Sequence, residues 1–149
     1  GISDIHTDHK ENWARLAELP IGPYLGDVLL VAGDVSHDMR TFSRTMHMLR
    51  ERFALVFFVP GNHDVWVGDS DVEKFEDQGI SGTTKRLDSL GKHRWLLEEC
   101  ARLGVWTTPA HFPQEELVIV PLLSWYHEEF DTEPDVPDHA WSSAAARRQ

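Results

Sequence analysis

Only one cysteine, Cys100, occurs in the 149-residue chain. A single thiol excludes an internal disulfide framework and a multi-cysteine zinc site, and it fits a reducing, cytoplasmic compartment. Basic residues are scarce: 14 Lys and Arg face 25 Asp and Glu, for a net charge of −11. That balance argues against wide contact with duplex nucleic acid, where clustered cations must neutralise phosphates. No apolar stretch approaches the roughly 18 residues that would mark a membrane span, so no membrane partner is expected. A G-x-G-x-x-G after the first strand, a G-K-[ST] and a G-x-S-x-G are all missing, which disfavours dinucleotide binding, a P-loop and a serine nucleophile. Cys100 has no activating group nearby in sequence and reads as a small packing residue of a helix.

What remains is ordinary globular material, with 41% hydrophobic residues, six Trp and seven Phe. The length fits one domain over 1–149 with a sizeable core. Strand and helix signals alternate. The spacing of Trp13, Leu16 and Ala17 predicts a helix over 9–19 that Asp8 could cap. "DVLLVAG" (27–33) and "ALVFFVP" (54–60) are continuous apolar runs of the kind buried on both faces of a parallel sheet. Between them, Phe42, Met46, Leu49 and Phe53 form one stripe of a helix over 39–53. Gly68, Gly79 and Gly82 mark a long loop over 67–84. A further helix over 85–103 carries Leu87, Leu90, Leu97 and Cys100 and stops at Gly104. "VWTT" (105–108) and "ELVIVPLLSW" (116–125) complete the strands. The acidic runs at 69–77 and 127–138 read as solvated loop.

Three polar strings stand at the carboxyl ends of successive strands, where α/β domains bind ligands. They are "SDIH" (3–6), "GDVSHD" (33–38) and "GNHD" (61–64). Asp4 and His6, at i and i+2, can flank one divalent ion, and the two oxygens of Asp34 can bridge two. Asn62 offers an amide oxygen, with His63 beside it as a proton donor. Each residue also has a bland reading as a helix cap, a turn former or a partly buried imidazole. Their convergence at three strand ends is what favours a site.

These strings, in this order and roughly 25 to 30 residues apart on successive βα units, resemble those of the calcineurin-like metallophosphoesterases, "GNHD" being the most specific. "RLGVWTTP" and "PLLSWYHEEFD" are also similar to stretches in a poorly characterised branch of that superfamily. The resemblance implies an α/β fold, a layered β-sandwich flanked by helices. It implies a binuclear centre of Mn, Fe, Zn or similar divalent ions: Asp4 and His6 on the first, Asp34 bridging, Asn62 on the second. A metal-activated hydroxide would attack the phosphorus of a small phosphate ester, while catalytic His63 stabilises or protonates the leaving oxygen and Asp64 orients the His63 ring. Phosphomonoesters and phosphodiesters are both open as substrates.

Two departures shape the expectation. Where many members have "GDxxD", this chain has His37, a candidate acid–base or substrate residue or a surface loop histidine. The later histidine and "G-H-x-H" that complete the family's metal shell have no counterpart after position 66; His127 in "SWYHEEF" is the remaining candidate. The expectation is therefore an amino-terminal portion of such a domain, incomplete on its C-terminal side, with a second metal site short of ligands. A non-catalytic fragment serving as a metal-binding or interaction domain is the alternative.

Overall fold

The computed structural model describes residues 1–68 and 87–125. Its centre is a parallel pair, β1 (Val28–Ala32) and β2 (Leu55–Val59), in register from Val28 opposite Leu55 to Ala32 opposite Val59. Parallel pairing extends one bridge further on each side, Ile2 to Val31 and Phe57 to Trp106. Four extended segments thus lie side by side in chain order, and a helix spans each crossover: α1 (Lys10–Ala17), α2 (Met39–Arg50) and α3 (Ser89–Leu103). Right-handed crossovers in sequential order put successive helices on the same face of a sheet.

Burial follows that geometry. Leu29 and Val31 of β1 are buried with Val56 and Phe58 of β2, whereas Val28 and Leu30, on the opposite face, are 41% and 43% exposed. The apolar run at 27–33 is therefore buried on one face only, which corrects the two-sided burial expected of it. On the helix side, Phe42 meets Phe58 and Trp95 edge-on at centroid distances of 5.1 and 6.1 Å. Met46, Leu49, Leu96 and Cys100 complete that core. On the other face Phe57 is covered by Trp106 and by Phe112 of a short antiparallel hairpin, β3 (Ala110–Phe112) with β4 (Leu117–Ile119).

Local chemistry sets the helix ends. Asp38 caps α2 by accepting from the Thr41 N–H at 2.8 Å, and Asp88 caps α3 through Gly91 N–H at 2.7 Å. Gly104 ends α3 in the left-handed conformation, φ 71°, as its sequence position predicts. α1 differs from expectation: its N-cap is His9, with no side-chain capping bond. Asp8 instead turns its carboxylate to His37 and His9, at 3.4 and 3.7 Å. At the other end of α1, Arg52 donates to the carbonyls of Leu19 and Ala17 while also bonding Met48, so α1 is pinned to α2 through its own orphan acceptors.

α3 also differs in phase and in start. Leu90 is 76% exposed, and the buried stripe runs through Lys92, Trp95, Leu96, Glu99 and Cys100. Leu87 is buried but precedes the helix. The strand expected at 116–125 is confined to Leu117–Ile119. The expected loop at 67–84 and both acidic runs lie, but for residues 67 and 68, outside the described residues.

Burial, reinforced by the charges of Glu99 and Asp64, pushes the Cys100 thiol well above its ordinary range. Thiol reagents at pH 8 should therefore label Cys100 more than about a hundredfold more slowly in the native chain than in 6 M guanidinium, since only thiolate reacts; comparable rates would contradict a sealed core.

Candidate metal centre

Three strand-end loops meet backbone against backbone. The N–H groups of Asp4, His6 and Thr7 donate to the carbonyls of Gly33, Asp34 and Val35 at 3.2, 3.0 and 2.8 Å, zipping the first loop to the second. The Thr7 hydroxyl bonds the Val35 carbonyl and shares a 2.8 Å contact with the Thr45 hydroxyl, anchoring the same loop to α2. Gly33 and Gly61 make the second and third loops touch. A Cβ on Gly33 would stand 2.6 Å from the Gly61 nitrogen, and one on Gly61 would stand 2.2 Å from Asp34 Oδ1.

The clamp that holds the second and third loops together is Asp64, which is fully buried. Its Oδ2 accepts from the N–H groups of Asp34 and Gly61 at 2.8 and 2.9 Å, and its Oδ1 from Val35 and Ser36 at 2.8 and 3.1 Å. Desolvation raises the Asp64 pKa above the usual carboxylate value, and the four main-chain donors pull it back toward ionisation. The sequence reading puts Asp64 behind the His63 ring; its oxygens are engaged with these loops instead. The ring has other neighbours: it lies 3.8 Å from the Trp66 ring and meets His6 edge-on at 4.8 Å.

Backbone strain marks the residues that this frame presents. Asp4, His6 and Asp34 have φ of 53°, 38° and 54°, a region that non-glycine residues rarely enter. Such outliers persist where surrounding structure over-determines them, and they concentrate at functional sites. Here the zippered loops and the Asp64 clamp supply that constraint.

The result is a donor cluster. Ligand atoms of His6, Asp34 and His63 all lie within 4.8 Å of one another, at partly buried positions. Two imidazole nitrogens and a carboxylate are chemically suited to a divalent transition ion. Asp34 Oδ1 accepts the main-chain N–H of His63 at 3.0 Å, which ties the carboxylate to the third loop. Asp4 does not join this cluster; it is exposed and lines a shallow cleft of about 280 Å³ with Asn12 and Arg15. Asn62 is also exposed and lines a larger cleft, about 900 Å³, together with Asp34 and Gly61. His37 is exposed, faces Asp8 and stands outside the donor cluster. His127 lies outside the described residues.

The family comparison settles the lineage: the model for calcineurin-like phosphoesterases matches residues 1–148. The chain belongs to the calcineurin-like phosphoesterase family. Within it, the chain is 33% identical over 113 residues to the [acyl-carrier-protein] phosphodiesterase PptH of Mycobacterium tuberculosis (strain ATCC 25618 / H37Rv). That match covers 75% of this chain and 31% of the relative, so the chain spans about a third of the length of the curated phosphoesterase it resembles. The crystal structure of phosphopantetheinyl hydrolase (PptH) from M. tuberculosis superposes with a TM-score of 0.63 at 30% identity, covering 82% of this chain and 40% of that one. Family members generally bind divalent metals, and the His6–Asp34–His63 cluster is a donor set of the fitting kind.

Lys92 escapes sequence reasoning. Its side chain is fully buried, and its ammonium donates to the carbonyls of His37 and Trp66, tying α3 to the loops after β1 and β2. A lysine three residues before Trp95 and four before Leu96 lies on their face of a helix, which is the signal that could have flagged it.

Asp64→Ala leaves four buried N–H donors without an acceptor and should cost at least about 3 kcal/mol of stability by urea unfolding; Asp64→Asn should also destabilise, because its amide oxygen keeps only two of the four bonds and its NH2 group faces the other two donors. A loss below about 1 kcal/mol in Asp64→Ala would show that the carboxylate's acceptor capacity is not what holds the loops.

Proposed function

We propose that the chain carries the metal-binding and catalytic core of a divalent-metal-dependent phosphodiesterase, and that its substrate is a phosphopantetheinyl ester of an acyl-carrier-protein kind. The single observation that carries this is the cluster of His6, Asp34 and His63 donors at three strand ends, with His6 and Asp34 on backbone that the fold holds in a costly conformation. The similarity to PptH supplies the substrate class.

Bound divalent ions supply Lewis acidity and an activated water for ester hydrolysis. The protein's own residues do the rest. Asp4 and His6 would hold one ion and Asp34 would lie between two, with Asn62 offering its amide oxygen to the second. Asp34, whose Oδ1 accepts the main-chain N–H of His63, lines the cleft. His63, packed on Trp66, would donate a proton to the leaving oxygen. Trp66 and Val65 give the cleft an apolar wall that limits water near the reacting ester.

The two ions are not equally served. Asp34 and Asn62 are the protein groups offered to the second, which favours weak binding there, whereas the first would have His6 and Asp34 of the cluster, joined by Asp4 from the same loop as His6. Calorimetric titration with Mn²⁺ should therefore resolve one tighter ion per chain and, at most, a weaker second; two equally tight ions would contradict the assignment.

Asp34→Asn should lower metal-dependent hydrolysis of an aryl phosphodiester by more than about a hundredfold, since loss of metal positioning removes several kcal/mol of transition-state stabilisation. Metal uptake without any hydrolysis by the parent chain would favour a metal-binding module over an enzyme, a reading that the short span relative to PptH keeps in view.

A further inference from the structure

His93 has no part in the donor cluster, and its Nε2 is buried without a hydrogen-bond partner. Such atoms are rare in native proteins, because a buried polar group that gives up water without replacement is costly. The position of the ring is not accidental either. His93 lies one turn into α3 and directly follows Lys92, whose ammonium fixes that turn to the loops of the candidate centre.

His93 also lines the 900 Å³ cleft that contains Asp34 and Asn62. One wall of this cleft comes from the strand ends; the other comes from Trp66, the first turns of α3 and the chain at 123–125. The second wall is apolar apart from Ser89, His93 and Ser124, and it leaves Leu90 and Trp125 76% and 45% exposed. The Trp125 ring stands edge-on to His93 at 6.1 Å, on irregular chain beyond β4.

We infer that His93 is a substrate-positioning residue whose Nε2 hydrogen-bonds an amide or hydroxyl in the organic arm of the phosphate ester, while apolar parts of that arm lie against Trp66, Leu90 and Trp125. This rests on the phosphoesterase reading above. An arm in which amide and aliphatic groups alternate, as in pantetheine, supplies a partner for the orphan nitrogen and cover for the exposed Leu90 and Trp125 side chains, which a short alkyl phosphate does not. The Trp125 side chain, held by no regular structure, is the part that yields as the arm enters.

The test is binding, kept separate from turnover. With the full chain, 4′-phosphopantetheine and inorganic phosphate are titrated while the imidazole ¹⁵N resonances are followed, and Kd is measured for the parent, His93→Phe and His93→Gln. The expected result is a shift of the His93 Nε2 resonance with phosphopantetheine and not with phosphate. His93→Phe should weaken phosphopantetheine about tenfold with phosphate affinity unchanged, and His93→Gln, which keeps a hydrogen-bonding group, should recover part of the loss. An unmoved resonance, an unchanged phosphopantetheine Kd in His93→Phe, or equal loss of both ligands would overturn the proposal. Should His93→Phe not fold, the parent resonance and His93→Gln decide. Hydrolysis by the parent without a His93 response sinks this assignment and leaves the phosphoesterase reading intact; a His93 response without hydrolysis shows the arm bound at His93 but overturns its role in positioning a substrate, together with the phosphoesterase reading.

Discussion

Four main-chain N–H groups, drawn from the loop after β1 and the loop after β2, converge on the Asp64 carboxylate. A charged acceptor in a buried position makes stronger hydrogen bonds than a neutral one, and leaving it unsatisfied would be correspondingly costly. Everything at the strand ends depends on this arrangement. It sets the Gly33 and Gly61 backbones in contact, it positions Asp34 to accept the His63 N–H, and it gives the first loop a fixed edge on which Asp4, His6 and Thr7 can be zippered. The metal-ligating candidates are thus positioned by a residue that is itself turned away from them.

A division of labour runs through the "GNHD" string. Gly61 supplies the absence of a side chain, Asn62 and His63 present functional atoms toward the cleft and the donor cluster, and Asp64 supplies the structural clamp. Lys92 works from the other side, with an ammonium in place of a carboxylate and carbonyls in place of N–H groups. Together the two buried charges satisfy donors and acceptors that irregular loop backbone would otherwise leave stranded. That is how loops stay rigid enough to hold side chains on strained φ angles.

The alternation of strand and helix, and the placement of the polar strings at strand ends, were legible in sequence because they rest on local periodicity and on apolar run length. Of the five candidates named from three short strings, the fold brings His6, Asp34 and His63 together and leaves Asp4 and Asn62 exposed outside that cluster, while Gly104 is a helix stop as its position predicts. What was not legible depended on long-range packing. Whether the β1 run is covered on one face or two is decided by what packs against the sheet, not by the run: Leu29 and Val31 join the core while Val28 and Leu30 stay exposed. The acceptor role of Asp64 needs donors 28 to 30 residues away, and its adjacency to His63 suggested a nearer partner. Neither the anchoring role of Lys92 nor the buried nitrogen of His93 is legible in sequence, because a polar residue inside a helical stripe resembles a solvent-facing one until the phase of the helix is known.

The parallel order of the sheet has a kinetic consequence. Each pairing at the strand ends joins segments about thirty residues apart, with a helix between them, so closing any one requires a complete βαβ unit. Contacts of that separation form late and slowly, because loop-closure entropy is lost before they return anything. His6, Asp34 and His63 therefore come together only once the two crossovers that carry α1 and α2 have closed. The donor cluster is thus a product of folding, absent from any chain in which those crossovers are open.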